Sequence, residues 1–169
     1  MFFRPVYLLL ICTQLAHAQG VVANAAELQG ALLYNFAVYT DWPTLPEAKI
    51  KFCVMGSDAV HQALSRLQNR TVKGMAIEVK AIVNPVQANA CQVVFVGQEE
   101  HKQIHEISLV TRATPVMPVA EEAGFAATDV TISLRLREGR YSFRINQTGA
   151  RIRSLSLSSK LLKLAAQVD

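Results

Sequence analysis

Apolar positions along the chain change their period several times, and each change marks an element. From residue 25, Leu28, Leu32, Phe36 and Tyr39 recur at three- and four-residue intervals, which predicts one stripe of a helix that stops before Pro43. At 100° per residue Tyr34 and Val38 fall almost opposite that stripe, so the helix is expected to carry a second apolar face. Residues 50–56 (IKFCVMG) read as a strand, and Ser57-Asp58 reads as the cap of an amphipathic helix with Val60, Leu64 and Leu67 on one face. Together they make the first half of a βαβ unit.

Residues 74–80 alternate apolar and polar as a half-exposed strand does, and residues 91–97 (CQVVFVG) are apolar enough for a buried one. Residues 99–109 supply a helix with Ile104, Ile107 and Ser108 on a common face. Residues 113–119 form a short strand broken by Pro115 and Pro118, and prolines are expected at sheet edges or strand ends because they cannot donate to the ladder; this one is read as an edge strand. Residues 130–136 and 141–145 alternate around Glu138-Gly139, which predicts a β-hairpin. Ser158 is placed to cap a last helix carrying Leu161, Leu162, Leu164 and Ala165. Without repeats, linkers or low-complexity tracts, this order describes a single α/β domain.

The N-terminus changes the picture. Arg4 precedes the apolar run of residues 7–12, and Ala16-His17-Ala18 follows with the small-x-small pattern of a signal peptidase site. Residues 1–18 are therefore read as a secretory leader and residues 19–169 as the mature domain. The apolar run is about half the length that a bilayer span requires. Cys12 sits inside it, ahead of the better cleavage site, and is excluded from structural reasoning. Losing Arg4 from the 17 basic residues leaves a mild net charge of +3, which excludes a nucleic-acid footprint.

Two cysteines remain in an oxidising compartment, Cys53 and Cys91. A bridge between them would close a loop of roughly 37 residues and stabilise the fold by about 3–4 kcal/mol; two separate buried thiols are the alternative. The register is awkward. If Gly56 and Gly97 end equivalent strands, the two cysteines are offset by roughly 10 Å along the sheet, whereas a bridge tolerates a Cα separation of only about 7 Å. The bond requires staggered strands, or Cys91 in the loop that leads into its strand.

Two places resemble chemical sites. The turn Met55-Gly56-Ser57-Asp58 lies between a strand and a helix, where a phosphate could meet exposed amides, but it lacks the second and third glycines of a dinucleotide fingerprint and reads as a tight connection. His101 and His105 stand four apart near Glu99, Glu100 and Glu106, yet spacing specifies no third ligand, and a solvated helix face accounts for them. No serine or cysteine is set beside a histidine as a hydrolase needs. The expectation is a protein with no catalytic residues, no metal and no cofactor.

The ordered set "LYNFAVYTDWP" (33–43), "IKFCVMG", "CQVVFVG", "EEAGF" (121–125), "GRYSFRIN" (139–146) and "LSLSSKLLKLA" (155–165), behind a signal peptide, resembles the YfiR-like periplasmic family over nearly the whole mature chain. The resemblance implies a Rossmann-like domain, with a mixed, mostly parallel sheet flanked by helices and a C-terminal hairpin and helix. It further implies a domain that holds no dinucleotide and acts as a periplasmic regulator. Relatives bind the periplasmic sensor region of an inner-membrane diguanylate cyclase and hold it inactive, limiting cyclic di-GMP and biofilm matrix. An outer-membrane lipoprotein of the OmpA-like kind can sequester the repressor, and the family is prone to dimerise. Two departures stand out. The chain has no second cysteine pair after Cys91, and Phe125-Ala126-Ala127-Thr128-Asp129 replaces a glycine usual after the "GF" element.

Four of the twelve aromatic residues sit in "LYNFAVYTDWP". Phe36 and Tyr39 are expected in the core, with Trp42 and Pro43 ending the helix beneath the sheet. Tyr34 and Val38, with Phe125, are the candidate partner or dimer contacts. The competing reading from another class is a small-ligand binder, in which the Ser57-Asp58 turn receives a metabolite and reports to a membrane sensor such as a histidine kinase.

Overall fold

The computed structural model describes residues 15–43, 45, 47–122 and 129–169, with the backbone alone for residues 15–24. The expected leader therefore lies outside the residues whose side chains are described. Helix α1 (Leu15–Val38) leads into a two-residue strand β1 (Thr40–Asp41). The central sheet is then built by β2 (Lys49–Met55), α2 (Asp58–Ser65), β3 (Thr71–Val72), β4 (Met75–Ala81), a 3-10 helix (Pro85–Ala90), β5 (Val93–Val96), a second 3-10 helix (Gln98–Gln103) running into α3 (Ile104–Val110), and β6 (Met117–Glu121). The hairpin β7 (Ile132–Arg137) and β8 (Arg140–Ile145) follows. After it come α4 (Gln147–Ile152), β9 (Ser156–Leu157), α5 (Ser159–Leu164) and β10 (Gln167–Val168).

Eight strands form one sheet in the order β10-β8-β7-β6-β5-β2-β4-β3, and β1 pairs with β9 in a separate ribbon. The five inner strands β4-β2-β5-β6-β7 are parallel, while β3 runs antiparallel to β4, β8 runs antiparallel to β7, and β10 is parallel to β8. This is the expected mixed, mostly parallel sheet with helices on its faces. Alternation along β2 divides two cores. Ile50, Phe52 and Val54 face a cluster with Leu33 and Phe36 of α1 and Val60 and Leu64 of α2. Cys53 and Met55 face the other side, covered by Ala88 of the first 3-10 helix and Ile104 and Ile107 of α3.

The helix stripe differs from the one read in the sequence. Leu28 is 45% exposed, whereas Ala26, Gln29, Leu33, Phe36 and Ala37 are buried and Leu32 and Tyr39 lie at the margin. The buried arc is centred on Leu33, about 100° round from Leu32. Gly30 explains the phase, because a Cβ there would stand 3.1 Å from the Cβ of Ala63, so the helix presses its small residues onto α2. Large side chains marked the wrong stripe because the closest packing uses small ones.

Pro118 also departs from expectation: β6 is an interior strand, paired with β5 on one side and β7 on the other. The Pro118 carbonyl accepts from the Thr131 amide on the β7 side. The β6–β7 register begins only at Val119 with Ile132, so the missing donor falls at the end of that ladder rather than within it. The hairpin closes as the sequence indicates, with φ of +50° at Glu138 and +73° at Gly139, the pair of positive values that a type I′ turn requires. Ser158 caps α5 through its hydroxyl, which accepts from the Leu161 amide at 3.2 Å.

Cys53 and Cys91 are bonded, with Cα atoms 6.0 Å apart. The register difficulty resolves through the loop: β5 starts at Val93, and Cys91 is the residue that follows and caps the first 3-10 helix, reaching Cys53 from the face of the sheet.

Candidate functional site

In an open α/β sheet the chain order reverses where neighbouring strands send their helices to opposite sides, and ligands occupy the crevice at the carboxyl ends of those strands. Here β2 leads through α2 to β4, and β5 leads through α3 to β6 on the other flank, so the reversal lies between the ends of β2 and β5. Gly56 and Gly97 follow these two strands. The Gly97 amide donates to the Met55 carbonyl at 2.7 Å, and a Cβ on Gly97 would lie 2.1 Å from the Gly56 oxygen. Gly56, at φ +70°, packs in turn under the Glu100 side chain, whose Cγ a Cβ would approach to 2.8 Å. Backbone contact seals the crevice that a nucleotide would fill. Gly56 is thus the tight turn the sequence suggested, and Ser57 is spent capping α2, accepting from the Val60 amide at 3.3 Å.

Beside the sealed crevice an open cleft of about 450 Å³ is lined by Gly56, Ser57, Asp58, His61, Val83 and Glu99 among others. It lies between the ends of β2 and β4, next to the turn singled out as a metabolite site.

On the far side of the crevice Glu121, the last residue of β6, gathers a polar knot. Its carboxylate accepts from Gln29 of α1, from Gln98 and, at 2.9 Å, from the Tyr141 hydroxyl of β8. Burial and this hydrogen bond hold the Tyr141 hydroxyl well above the ordinary phenol range. The knot clamps α1 and the hairpin to the sheet. Sequence reading missed it, although the polar Gln29 inside an apolar helix was an available signal once the helix phase was known.

The histidines part company. His101 is half-buried, and burial depresses its pKa against the opposing pull of Glu121. His105 Nδ1 lies 3.4 Å from Asp129 on an exposed surface. Among the described residues no group of three or more His, Cys, Asp or Glu side chains is gathered closely enough to hold a metal.

The three residues singled out for partner contact are not brought together. Tyr34 and Val38 are half-buried and pack against the first core, not on a free opposite face. The Tyr34 hydroxyl donates to the Thr71 carbonyl at 3.1 Å, and the Arg70 guanidinium stands 5.9 Å from its ring centre. Phe125 lies outside the described residues.

Fold and edge together define a doubly wound α/β domain whose ligand crevice is filled by its own backbone. The model of the YfiR/HmsC-like family matches residues 26–166, and the chain belongs to that family. No curated protein matches the chain. Among the described residues no helix is long and apolar enough to cross a membrane.

Proposed function

We propose that the protein is a periplasmic regulator that binds the periplasmic sensor region of an inner-membrane diguanylate cyclase and represses it, lowering cyclic di-GMP and biofilm formation. Membership of the YfiR/HmsC-like family over residues 26–166 carries the reading. The backbone packing of Gly56 against Gly97 supports it, because it removes the place where this architecture ordinarily holds a cofactor. The protein acts by occupancy of a partner, without chemistry of its own. Tyr34, Val38 and Phe125 remain candidate contacts, a homodimer is the working form, and an OmpA-like outer-membrane lipoprotein is a second partner that releases the cyclase.

Deleting the gene in a strain that carries a membrane-anchored GGDEF-domain protein should raise cyclic di-GMP, and restoring the exported chain should lower it. An unchanged level in both strains overturns the proposal. The cleft beside Ser57 and Asp58 favours one alternative, a small-ligand module that reports to a membrane sensor such as a histidine kinase. A metabolite that raises the Tm of the wild type, but not of a variant with the cleft filled at Ala59, would support it.

A further inference from the structure

The β7–β8 hairpin outgrows its sheet. Pairing of β6 with β7 ends at Glu121 with Leu134, and β10 reaches β8 only at Arg144 and Ile145. Residues 135–142 therefore continue as a two-stranded ribbon, rising by about 10 Å over three residue pairs. Directly opposed residues share a face. One face of the ribbon carries Leu136 and Tyr141, continuing the apolar line of Leu134 and Phe143; the other carries Arg135 with Ser142 and Arg137 with Arg140, above Arg144.

The arginines of this second face fall into two groups. Arg135 is bonded to Glu122, and Arg144 lies 3.4 Å from Glu122 and 3.2 Å from Asp169. Arg137 and Arg140 are exposed, stand directly opposite one another at the tip, and among the described residues neither joins an ion pair. Like charges set across a ribbon destabilise it, and a two-residue turn closed by Glu138-Gly139 gains nothing from them. A cost borne at a projecting tip points to a use outside the domain.

We infer that the arginine face of the hairpin is a docking surface for an acidic, extended segment of a partner protein. Two guanidinium forks set side by side match carboxylates spaced along a strand, which also project on one face at alternate residues. A membrane surface fits less well. Lipid binding needs apolar and basic side chains pointing the same way, and here Leu136 and Tyr141 lie on the face opposite the arginines. The inference rests on the reading of the protein as a regulator that acts through a partner, and it names the charge which that partner presents.

The test uses the purified exported protein and a fluorescein-labelled peptide of alternating Glu and Thr, read by anisotropy. The peptide should bind, with affinity falling as salt is raised, and a Gln-Thr peptide should bind at least about tenfold more weakly. Arg137→Glu together with Arg140→Glu should abolish binding. Arg140→Glu alone should weaken binding while leaving the Tm equal to or above that of the wild type, because it turns a repulsive cross-strand pair into an attractive one. Equal binding of both peptides, no binding, or a stronger response to vesicles of phosphatidylglycerol than to the Glu-Thr peptide overturns the inference. In cells, wild type that lowers cyclic di-GMP beside a double variant that lowers it equally overturns the inference and leaves the regulatory reading intact. Wild type without effect overturns the regulatory reading, and the peptide titration then decides the arginine face alone.

Discussion

Breaking the Cys53–Cys91 bond should be the largest single loss of stability available without touching the apolar core. The two cysteines are 38 positions apart, and on the chain-entropy model a loop of that size stabilises the folded state by about 4 kcal/mol. Folded domains have only about 5–15 kcal/mol in total, so the loss is a large fraction of it. Both side chains are buried on the second core face beside Val94 and Val96, and reduction leaves that packing almost unchanged. Comparing oxidised with reduced wild type therefore isolates the cross-link, whereas serine substitutions would add a desolvation cost of about 1–3 kcal/mol for each unpaired hydroxyl. The assay is urea unfolding of protein refolded with and without reductant. The midpoint should fall, the slope should rise because the open chain exposes more surface, and the Tm should drop by roughly 8–16 °C. A gap below about 1 kcal/mol would mean that the denatured state is already held compact around this loop, against the entropic argument. Alkylatable thiols in the denatured, unreduced protein would show that the bond does not form.

Phe36 is 1% exposed and meets Phe143 edge-on with ring centres 5.0 Å apart, so Phe36→Ala should cost roughly 3–5 kcal/mol. Leu28→Ala should cost under about 0.5 kcal/mol by the same urea measurement, and equal losses would return the helix to the stripe first read from the sequence. Tyr34→Glu should weaken binding to a partner or a second copy and, since Thr71 and Arg70 already use its hydroxyl and ring, lower stability by about 1 kcal/mol; a variant that folds and binds as wild type removes Tyr34 from the contact surface. The raised pKa of Tyr141 sets an alkaline limit. The unfolded chain loses this proton near pH 10 while the folded one retains it, so the stabilisation is complete below about pH 10 and is lost as pH rises beyond. Tyr141→Phe should flatten the decline of the urea midpoint in that range, and an unaltered slope would refute the assignment to this hydroxyl.

Much of this fold was legible because its strands obey simple periods. The stretches 52–55 and 93–96 are continuous in apolar residues, as strands buried on both faces must be, and the Glu138-Gly139 turn announces its hairpin by chemistry. What escaped the sequence depends on partners distant along the chain. The phase of α1 follows from contact between Gly30 and Ala63, and neither residue is conspicuous. Pro118 looks like an edge residue until β7 is seen to begin its ladder one position later. Helix α4 and the 3-10 helix at Pro85–Ala90 are too short to show a period, and both are held by side-chain caps from Asn146 and Asn84. The Glu121 knot joins residues 29, 98, 121 and 141, which no local pattern could unite.

The carboxyl edge of this sheet inverts the usual relation between architecture and use. In doubly wound domains the loops diverge at the strand-order reversal and leave backbone amides facing a gap, so a ligand supplies the missing contacts. Here Gly97 lacks the atom that would hold it away from Gly56, and the two loops meet, so the amide that might have faced a phosphate donates to Met55 instead. The neighbouring carboxylate, Glu121, is likewise occupied by three donors of its own chain. At the strand-order reversal, where these polar groups are satisfied internally, the edge offers little to a small anion. Beyond the edge the hairpin projects Arg137 and Arg140, which among the described residues join no ion pair. The same glycines that close the crevice thus leave surface complementarity as the mode of action that the proposed regulatory role would use.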